Sequence, residues 1–427
     1  NTQKKRNVVK SDNCNMTSTR TQTEVQQRKG VSGSTSTSTS TKMITREEFA
    51  KHHFREDCWI EIEGKVYDVS EWMLKHPGGE RLLECLGGKD ASLPFLLNHG
   101  PWVRDKYFSC MYIGDLQPKQ HKGKYDALTK DFIVLYNELM KQGWFETSYA
   151  YYTKKVLVLI SMLCGVIYLF QLSNYYDSKI FAVIASFMLG MFWQQIAFIG
   201  HDLGHNGVTH STKLDTAIGF IIGNLGQGIS LGWWKYTHNV HHVRTNDGEW
   251  DPDIQHMPII AISKKYLSRI YSHFHRNTLP PTDRFSTWIA KLSIGYQHYH
   301  WFFSLMLSRA FLYLSSFVFV CWQQPRQENG RNEPFKGYNV LEVLTLLLYH
   351  VWTIGLFVTY TDHPAMYYFI AYFTAGILHI QIVSNHFPCP VVDDIEEDNF
   401  VYHQLKTSMA ISSNTYTHWF HGGLQFQ

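Results

Sequence analysis

Two short histidine clusters, His201-Asp202-Leu203-Gly204-His205 and His238-Asn239-Val240-His241-His242, determine the architecture that this sequence predicts. In an α-helix, residues three or four positions apart lie on the same face, so each cluster presents its imidazoles together. Imidazole is the commonest metal-binding side chain in proteins. The two clusters therefore predict a metal centre that is assembled from two helices.

Long apolar segments surround these clusters. Four of them are nearly free of charge and long enough to cross a bilayer, namely residues 156–172, 180–199, 339–360 and 365–384. They form two hairpins, and an even number of crossings returns the chain to its starting side. Lys154 and Lys155 precede the first crossing, so the positive-inside tendency places the N-terminal region and both histidine clusters in the cytosol.

Two further apolar segments are predicted not to cross the membrane. A crossing by residues 214–231 would put the two histidine clusters on opposite sides, so we expect this segment to dip into the interface or to line a substrate channel. Residues 302–320 carry Arg309 near their middle, where a charge costs about 2.5 to 3.5 kcal/mol at the bilayer centre. We expect an in-plane or protein-packed helix there.

The N-terminal region divides into a biased tail and a small folded domain. Residues 1–42 are polar and end in a Ser/Thr-rich run, which predicts a disordered tail. In residues 43–118, the spacing of Thr45 and Glu48 predicts a helix start, and alternating runs around Glu63-Gly64 predict a β-hairpin. A linker and an amphipathic helix are expected in residues 119–155, before a membrane domain in residues 156–427.

Two motifs in the small domain resemble cytochrome b5. They are His76-Pro77-Gly78-Gly79 and Asn98-His99-Gly100, and the resemblance covers about residues 43–116 with the hairpin and Gly88-Lys89-Asp90-Ala91. It implies an α+β domain that binds haem b, with His76 and His99 as axial ligands. Two imidazoles leave no open position on the iron, which suits electron transfer rather than O2 activation.

The rest of the chain resembles the membrane fatty-acyl desaturases. The stretches that carry the resemblance are residues 201–205, 228–242 and 251–258, and a fused haem domain is typical of the front-end branch of that family. The resemblance implies an all-α membrane domain with four transmembrane helices and a cytosolic cap that holds two non-haem Fe. It implies that the iron ligands are His201, His205, His238, His241, His242 and His386.

The family's third histidine box begins with Gln, and a His-His pair follows two residues later. Gln427 corresponds to the first residue of this box. We therefore expect that the sequence ends inside the box and that the chain as written is inactive in desaturation.

Several other residues are predicted near the metal. Metal-bound histidines usually donate their second ring N–H to a carboxylate, and Asp202, Asp251 and Asp253 are the expected partners. His379 shares a helical face with His386 and is a neighbour or an alternative ligand.

The two tryptophans Trp233 and Trp234 are expected either to position substrate or to anchor the chain at the membrane interface. Three other histidines, His298, His300 and His350, are expected at the interface or in packing contacts.

The resemblance implies an oxidoreductase that uses O2 to remove two hydrogens from adjacent methylenes of a lipid. Electrons would come from NADH through cytochrome b5 reductase at the endoplasmic reticulum membrane. Residues 232–234, 251–258 and 421–426 are most similar to delta-8 sphingolipid desaturases, which act on the long-chain base of a ceramide. The alternatives are a front-end delta-5 or delta-6 fatty-acyl desaturase, a di-iron lipid hydroxylase and a membrane-anchored electron-transfer haem protein.

Composition argues against other classes of protein. The formal net charge of the 427 residues is only +3, and the sequence has no basic stripe interleaved with aromatic residues. Nucleic-acid binding is therefore not predicted. The seven cysteines are scattered without a CxxC pair, which indicates neither a disulfide framework nor a zinc site. Such cysteine usage fits a reducing, cytosol-facing location.

Overall fold

The computed structural model describes residues 42–424, except residues 101, 120, 122, 281, 324–337, 393–398 and 413. The tail predicted for residues 1–42 lies outside this range apart from Lys42, and Gln427 lies outside it as well. Within the described residues, a small mixed α/β domain precedes a helical domain.

The N-terminal domain is built on a five-stranded sheet with the order β1-β5-β4-β3-β2. Its elements are β1 (Met43–Ile44), α1 (Arg46–Phe49), β2 (His53–Phe54), β3 (Asp57–Ile62), β4 (Lys65–Asp68), α2 (Glu80–Glu84), α3 (Ser92–Asn98), α4 (Trp102–Tyr107) and β5 (Tyr112–Leu116). The predicted hairpin is β3–β4, in which Trp59 pairs with Asp68. Glu63 and Gly64 form its turn with φ values of 52° and 75°, as a two-residue turn that matches strand twist requires.

In the described residues, the helical domain contains thirteen α-helices and one short hairpin. These elements are α5 (Asp126–Lys141), α6 (Tyr149–Tyr176), α7 (Lys179–Gly204), α8 (Thr212–Gly219), α9 (Leu231–Val243), β6 (Ile270–Ser272), β7 (Asn277–Leu279), α10 (Arg284–Ser293), α11 (Gln297–Leu307), α12 (Arg309–Val318), α13 (Tyr338–Tyr360), α14 (Pro364–Ala375), α15 (Ile377–Val383), α16 (Phe400–Thr407) and α17 (Thr415–Phe420). The antiparallel β6–β7 pair is an addition to the all-α architecture that the sequence predicted.

Four candidate membrane spans lie in the described part of the chain, and their number confirms the prediction. They are Tyr149–Tyr176, Lys179–Gly204, Val340–Tyr360 and Pro364–Val383. The first span begins seven residues before the predicted start at 156, because the side chain of Ser148 caps the helix by accepting a hydrogen bond from the Tyr151 amide. Leu189 and Trp193 of α7 are fully buried at the centre of the helical core.

The two other apolar segments do not form straight spans. Helix α8 and the π-helical turn Phe220–Leu225 cover the first part of segment 214–231. Asn224 of this turn is fully buried, and its side-chain oxygen accepts a hydrogen bond from the Leu231 amide at 3.0 Å. The second apolar segment, residues 302–320, is bent by 56° between α11 and α12.

Arg309 explains why the bent segment packs against protein. Its side chain is 0% exposed. Its guanidinium donates to the Tyr313 hydroxyl at 2.6 Å and to the Gln227 carbonyl at 2.7 Å, and it lies 5.2 Å from the centre of the Trp193 ring. The prediction of a protein-packed helix around this arginine is confirmed.

Candidate metal centre and haem site

Four imidazoles converge where the C-terminal end of α7 meets α9. We refer to His201, His205, His238 and His242 as the four-histidine group, and one ring nitrogen of each lies within 4.8 Å of the others. Nε2 of His238 is 3.3 Å from Nε2 of His201 and 3.0 Å from Nε2 of His242. Nitrogens bound to one metal at about 2 Å lie roughly 3 Å apart, so the spacing fits a transition metal.

Burial favours the neutral form of three of these histidines, as metal binding requires. It lowers the pKa of His205, His238 and His242 well below 6.5, and the neighbouring imidazoles lower it further. Nε2 of His205 is buried and has no hydrogen-bond partner among the described residues. A neutral ring with an unengaged nitrogen offers a lone pair to a metal ion.

His241 and His386 form a second pair beside the group. Their ring centroids are 4.7 Å apart, and the residues are 2% and 4% exposed. Nδ1 of His241 lies 2.9 Å from Asp251, and Nδ1 of His386 lies 3.1 Å from the Thr407 carbonyl. These hydrogen bonds favour the tautomer in which Nε2 carries the lone pair.

The three predicted carboxylates each lie near a histidine ring. Besides the contact of Asp251 with His241, Asp253 is 3.3 Å from Nδ1 of His238 and Asp202 is 3.3 Å from Nδ1 of His201. Carboxylates in these positions orient the rings and raise the basicity of their other nitrogens.

The two tryptophans differ in their surroundings. The Trp234 ring lies 4.3 Å from the ring of His238 and 5.2 Å from that of His201, whereas Trp233 packs against apolar residues of the core. A Cβ atom added to Gly204 would lie 2.0 Å from the Trp234 ring, so α7 and α9 approach closely through this glycine.

The remaining predicted histidines lie in neither metal-binding group. Nδ1 of His379 is 3.2 Å from the Gly376 carbonyl, His300 contacts Ser293 and Ser304, and His350 packs on Tyr313. The His298 ring lies 3.9 Å from the ring of the adjacent Tyr299 and is tilted by 44° relative to it.

The sequence analysis missed a residue that supports Asp202. Tyr152 of α6 donates its hydroxyl to the second carboxylate oxygen of Asp202 at 2.9 Å. This hydrogen bond links the first membrane helix to the His201 ring. Its partners are distant in the sequence, and Tyr152 is one of several tyrosines at the start of α6, so no local pattern distinguishes it.

His76 and His99 face each other across the N-terminal domain. Their ring centroids are 5.9 Å apart. This separation leaves space for a haem iron, which both rings would bind through a ring nitrogen. Burial lowers the pKa of His76 to about 4, and its Nδ1 has no hydrogen-bond partner among the described residues. The pair therefore fits the axial ligands of a haem.

Comparison with known proteins gives the same two parts. Residues 45–117 match the family described as cytochrome b5-like haem/steroid binding domain, and residues 178–427 match the family described as fatty acid desaturase. The N-terminal part is also similar to the solved structure of cytochrome b5 of Ostreococcus tauri virus 2, with 36% identity, coverage of 17% of this chain and 95% of that chain, and a TM-score of 0.17.

Similar proteins include the "Delta(8)-fatty-acid desaturase" of Helianthus annuus, which is 32% identical over 90% of this chain and 80% of the relative. The "Acyl-lipid (9-3)-desaturase" of Borago officinalis is 29% identical over 90% and 82%, respectively. The "Delta 8-(E)-sphingolipid desaturase" of Komagataella phaffii is 33% identical, and the match covers 70% of this chain and 53% of the relative.

Proposed function

Because the chain belongs to the fatty acid desaturase family and carries an N-terminal cytochrome b5-like domain, we propose that it desaturates the long-chain base of a sphingolipid at the delta-8 position. The protein is a membrane-associated oxidoreductase of lipids that uses haem and a di-iron centre. The observation that carries the proposal is the partly buried four-histidine group in the same chain as a pair of facing histidines that fits a haem.

We assign the haem to His76 and His99. The six proposed iron ligands are His201, His205, His238, His241, His242 and His386. When bound, the di-iron centre supplies the O2 activation that removes hydrogen from an unactivated methylene. The side chains of Asp202, Asp251 and Asp253 would hold the histidine rings in place. We also propose that four residues support the iron ligands or contact the substrate, namely Trp233, Trp234, His379 and Gln427.

The sphingolipid substrate is supported by the relatives. Komagataella phaffii and Lachancea kluyveri have proteins named delta 8-(E)-sphingolipid desaturase that are 33% and 34% identical to this chain. The second candidate substrate is a fatty-acyl chain, which the similarity to the acyl-lipid desaturase of Borago officinalis supports.

We further propose that the protein resides in the endoplasmic reticulum membrane and receives electrons from NADH-cytochrome b5 reductase. The haem domain and the four candidate spans support an electron donor at a membrane, and Lys154 and Lys155, near the N-terminal end of the first span, support a cytosolic orientation by the positive-inside tendency. This arrangement puts the haem domain and the histidine groups in the cytosol, where the reductase can reach them.

The test is expression in a host whose ceramides lack delta-8 unsaturation, followed by mass spectrometry of long-chain bases and fatty acids. We expect new delta-8 unsaturated long-chain bases with the full-length protein, including its complete third histidine box, and none with the His238→Ala variant of that protein. Retention of the haem spectrum in His238→Ala shows that the variant is folded. New double bonds in fatty acids alone, with unchanged long-chain bases, would establish the second candidate substrate instead.

A further inference from the structure

The haem domain, residues 43–116, packs directly on the helix that carries the second histidine cluster. Helix α2 begins immediately after the His76–Gly79 loop and contacts α9. Leu83 and Leu86 of the haem domain belong to one apolar cluster with Val240 and Val243 of α9. The two domains therefore share a buried apolar contact in addition to their covalent linker.

Tyr236 is the residue of α9 that meets the haem loop. Its hydroxyl accepts a hydrogen bond from Nε of Arg81 at 3.2 Å. A Cβ atom added to Gly79 would lie 3.2 Å from the Tyr236 ring, which is tighter than an ordinary contact, so glycine at this position favours the close approach of the loop to the ring. Tyr236 precedes His238 by two positions, and Gly79 follows His76 by three. One side chain thus connects the two redox sites.

The β6–β7 hairpin forms the second half of this contact. Its turn carries Phe274, whose ring centroid is 5.5 Å from that of Tyr236, and Phe274 belongs to the shared apolar cluster. In the same turn, Arg276 lies 3.2 Å from Glu84 and 3.9 Å from Glu80, both of the haem domain. The Arg276 side chain is 37% exposed, which shows that these ion pairs lie at the edge of the contact.

We infer that Tyr236 and the β6–β7 hairpin form an internal docking site that holds the haem domain in one orientation on α9. Electrons then pass from a docked haem domain to the iron centre of the same chain. Each transfer oxidises the haem iron from ferrous to ferric and adds one electron to the histidine-bound iron. The inference rests on the proposed redox role of the haem domain, and Tyr236 acts in it as a positioning residue.

Docking changes what is expected of the rate of electron transfer from the haem to the iron centre. A mobile, tethered domain meets its partner at an effective concentration that depends on the linker. A domain that buries apolar residues and forms specific polar contacts at the edge keeps one separation between the two redox sites. Interface variants should therefore slow electron transfer while the linker, the haem and the iron ligands are unchanged.

The first test measures proximity without activity. In the full chain in membranes, we expect a short bismaleimide to join the two cysteines of the Glu84→Cys/Arg276→Cys variant in most molecules. A matched variant, Glu63→Cys/Arg276→Cys, places the haem-domain cysteine at a residue that contacts Arg104 of its own domain. Equal cross-linking in both variants would show a freely moving haem domain and overturn the inference.

The second test uses the full-length protein with its complete third histidine box and measures the first-order reoxidation of reduced haem after addition of O2 and substrate. We expect Tyr236→Ala to slow this step roughly tenfold or more, and Tyr236→Phe, which keeps the ring, to restore most of the rate. Phe285→Ala, at an exposed position of α10, is the control variant. Iron content and haem potential are measured for each variant.

An unchanged reoxidation rate in Tyr236→Ala would overturn the inference. If the Tyr236→Ala variant loses iron, the Arg276→Glu variant is measured in the same assay instead. An unchanged reoxidation rate in Arg276→Glu would also overturn the inference. The identity of the lipid product does not enter either readout, so a wrong substrate assignment and a wrong docking site give different results.

Discussion

His241 donates a hydrogen bond from Nδ1 to the carboxylate of Asp251 at 2.9 Å, and both residues are almost completely buried. Asp251 also accepts hydrogen bonds from the amides of Asn246 at 2.7 Å and Asp253 at 2.9 Å. The backbone therefore fixes the carboxylate, and the carboxylate fixes the ring. The orientation of His241 toward His386 is built into the fold.

Replacement of this carboxylate should weaken metal binding. In Asp251→Asn the side chain keeps its size but loses the charge that supports His241, and its amide cannot satisfy every donor that now faces it. We expect iron affinity to fall about 10- to 100-fold. Iron content after dialysis against a chelator measures the change. Asp283→Asn at the exposed start of α10 is the control, and equal iron retention in both variants would contradict the assigned role of Asp251.

Gly204 allows the two histidine helices to approach each other. In Gly204→Ala the new methyl group would lie 2.0 Å from the Trp234 ring, which must move and separate His201 and His205 from His238 and His242. We expect loss of iron and a decrease of about 1 to 3 kcal/mol in the free energy of unfolding.

The control for Gly204→Ala is Gly200→Ala, one helical turn earlier. The nearest atom to a new methyl group there is 3.9 Å away, which is an ordinary contact. Iron content and thermal unfolding in detergent distinguish the two variants. A Gly204→Ala protein that keeps its iron and its unfolding temperature would show that α7 and α9 can separate without loss of the site.

The histidine spacing predicted that the four-histidine group would come together, because that spacing depends on local helix geometry. Positions i and i+4 of a helix share a face whatever the tertiary structure, so His201 with His205 and His238 with His242 could be grouped from sequence. Arg309 was informative for a similar reason, since the cost of a charge in hydrocarbon is local to the residue.

The docking contact could not be predicted in this way. Strands β6 and β7 have three residues each, which is too short for an alternating pattern to be recognised. Tyr236 lies between histidines on a helix, and its contact with Arg81 depends on how two domains meet rather than on any periodicity. The supporting hydrogen bond from Tyr152 to Asp202 has the same long-range origin.

Lys235 should make stability depend on pH. This lysine is 6% exposed, and its burial lowers its pKa to about 8. The negative charge of Asp215 raises the pKa and offsets part of that decrease. Between pH 8 and the unfolded pKa near 10.5, the unfolded state binds more protons than the folded state, so the free energy of unfolding rises with pH. Below pH 8 the folded protein holds a costly buried ammonium group.

The variant Lys235→Met removes that cost. We expect it to raise the free energy of unfolding at pH 7 by about 1 to 3 kcal/mol and to flatten the rise above pH 8. Thermal unfolding in detergent between pH 7 and 10 measures both effects. Lys213→Met, at an exposed position, should change neither, and a less stable Lys235→Met protein at pH 7 would mean that the hydrogen bond to Asn206 outweighs burial of the charge.

Exchange of one proposed haem ligand should shift the reduction potential while the haem remains bound. The His99 ring stacks on Phe95 and faces His76, so a thioether in His99→Met can reach the same side of the iron. A methionine ligand favours ferrous iron relative to imidazole, and we expect the potential to rise by on the order of 100 mV. Because a higher potential weakens the driving force for electron donation, haem reoxidation should slow as well.

Spectroelectrochemical titration measures the potential, and Asn98→Ala, one residue earlier, should leave it unchanged. If His99→Met keeps the spectrum and potential of the unaltered protein, the second axial ligand is a different residue.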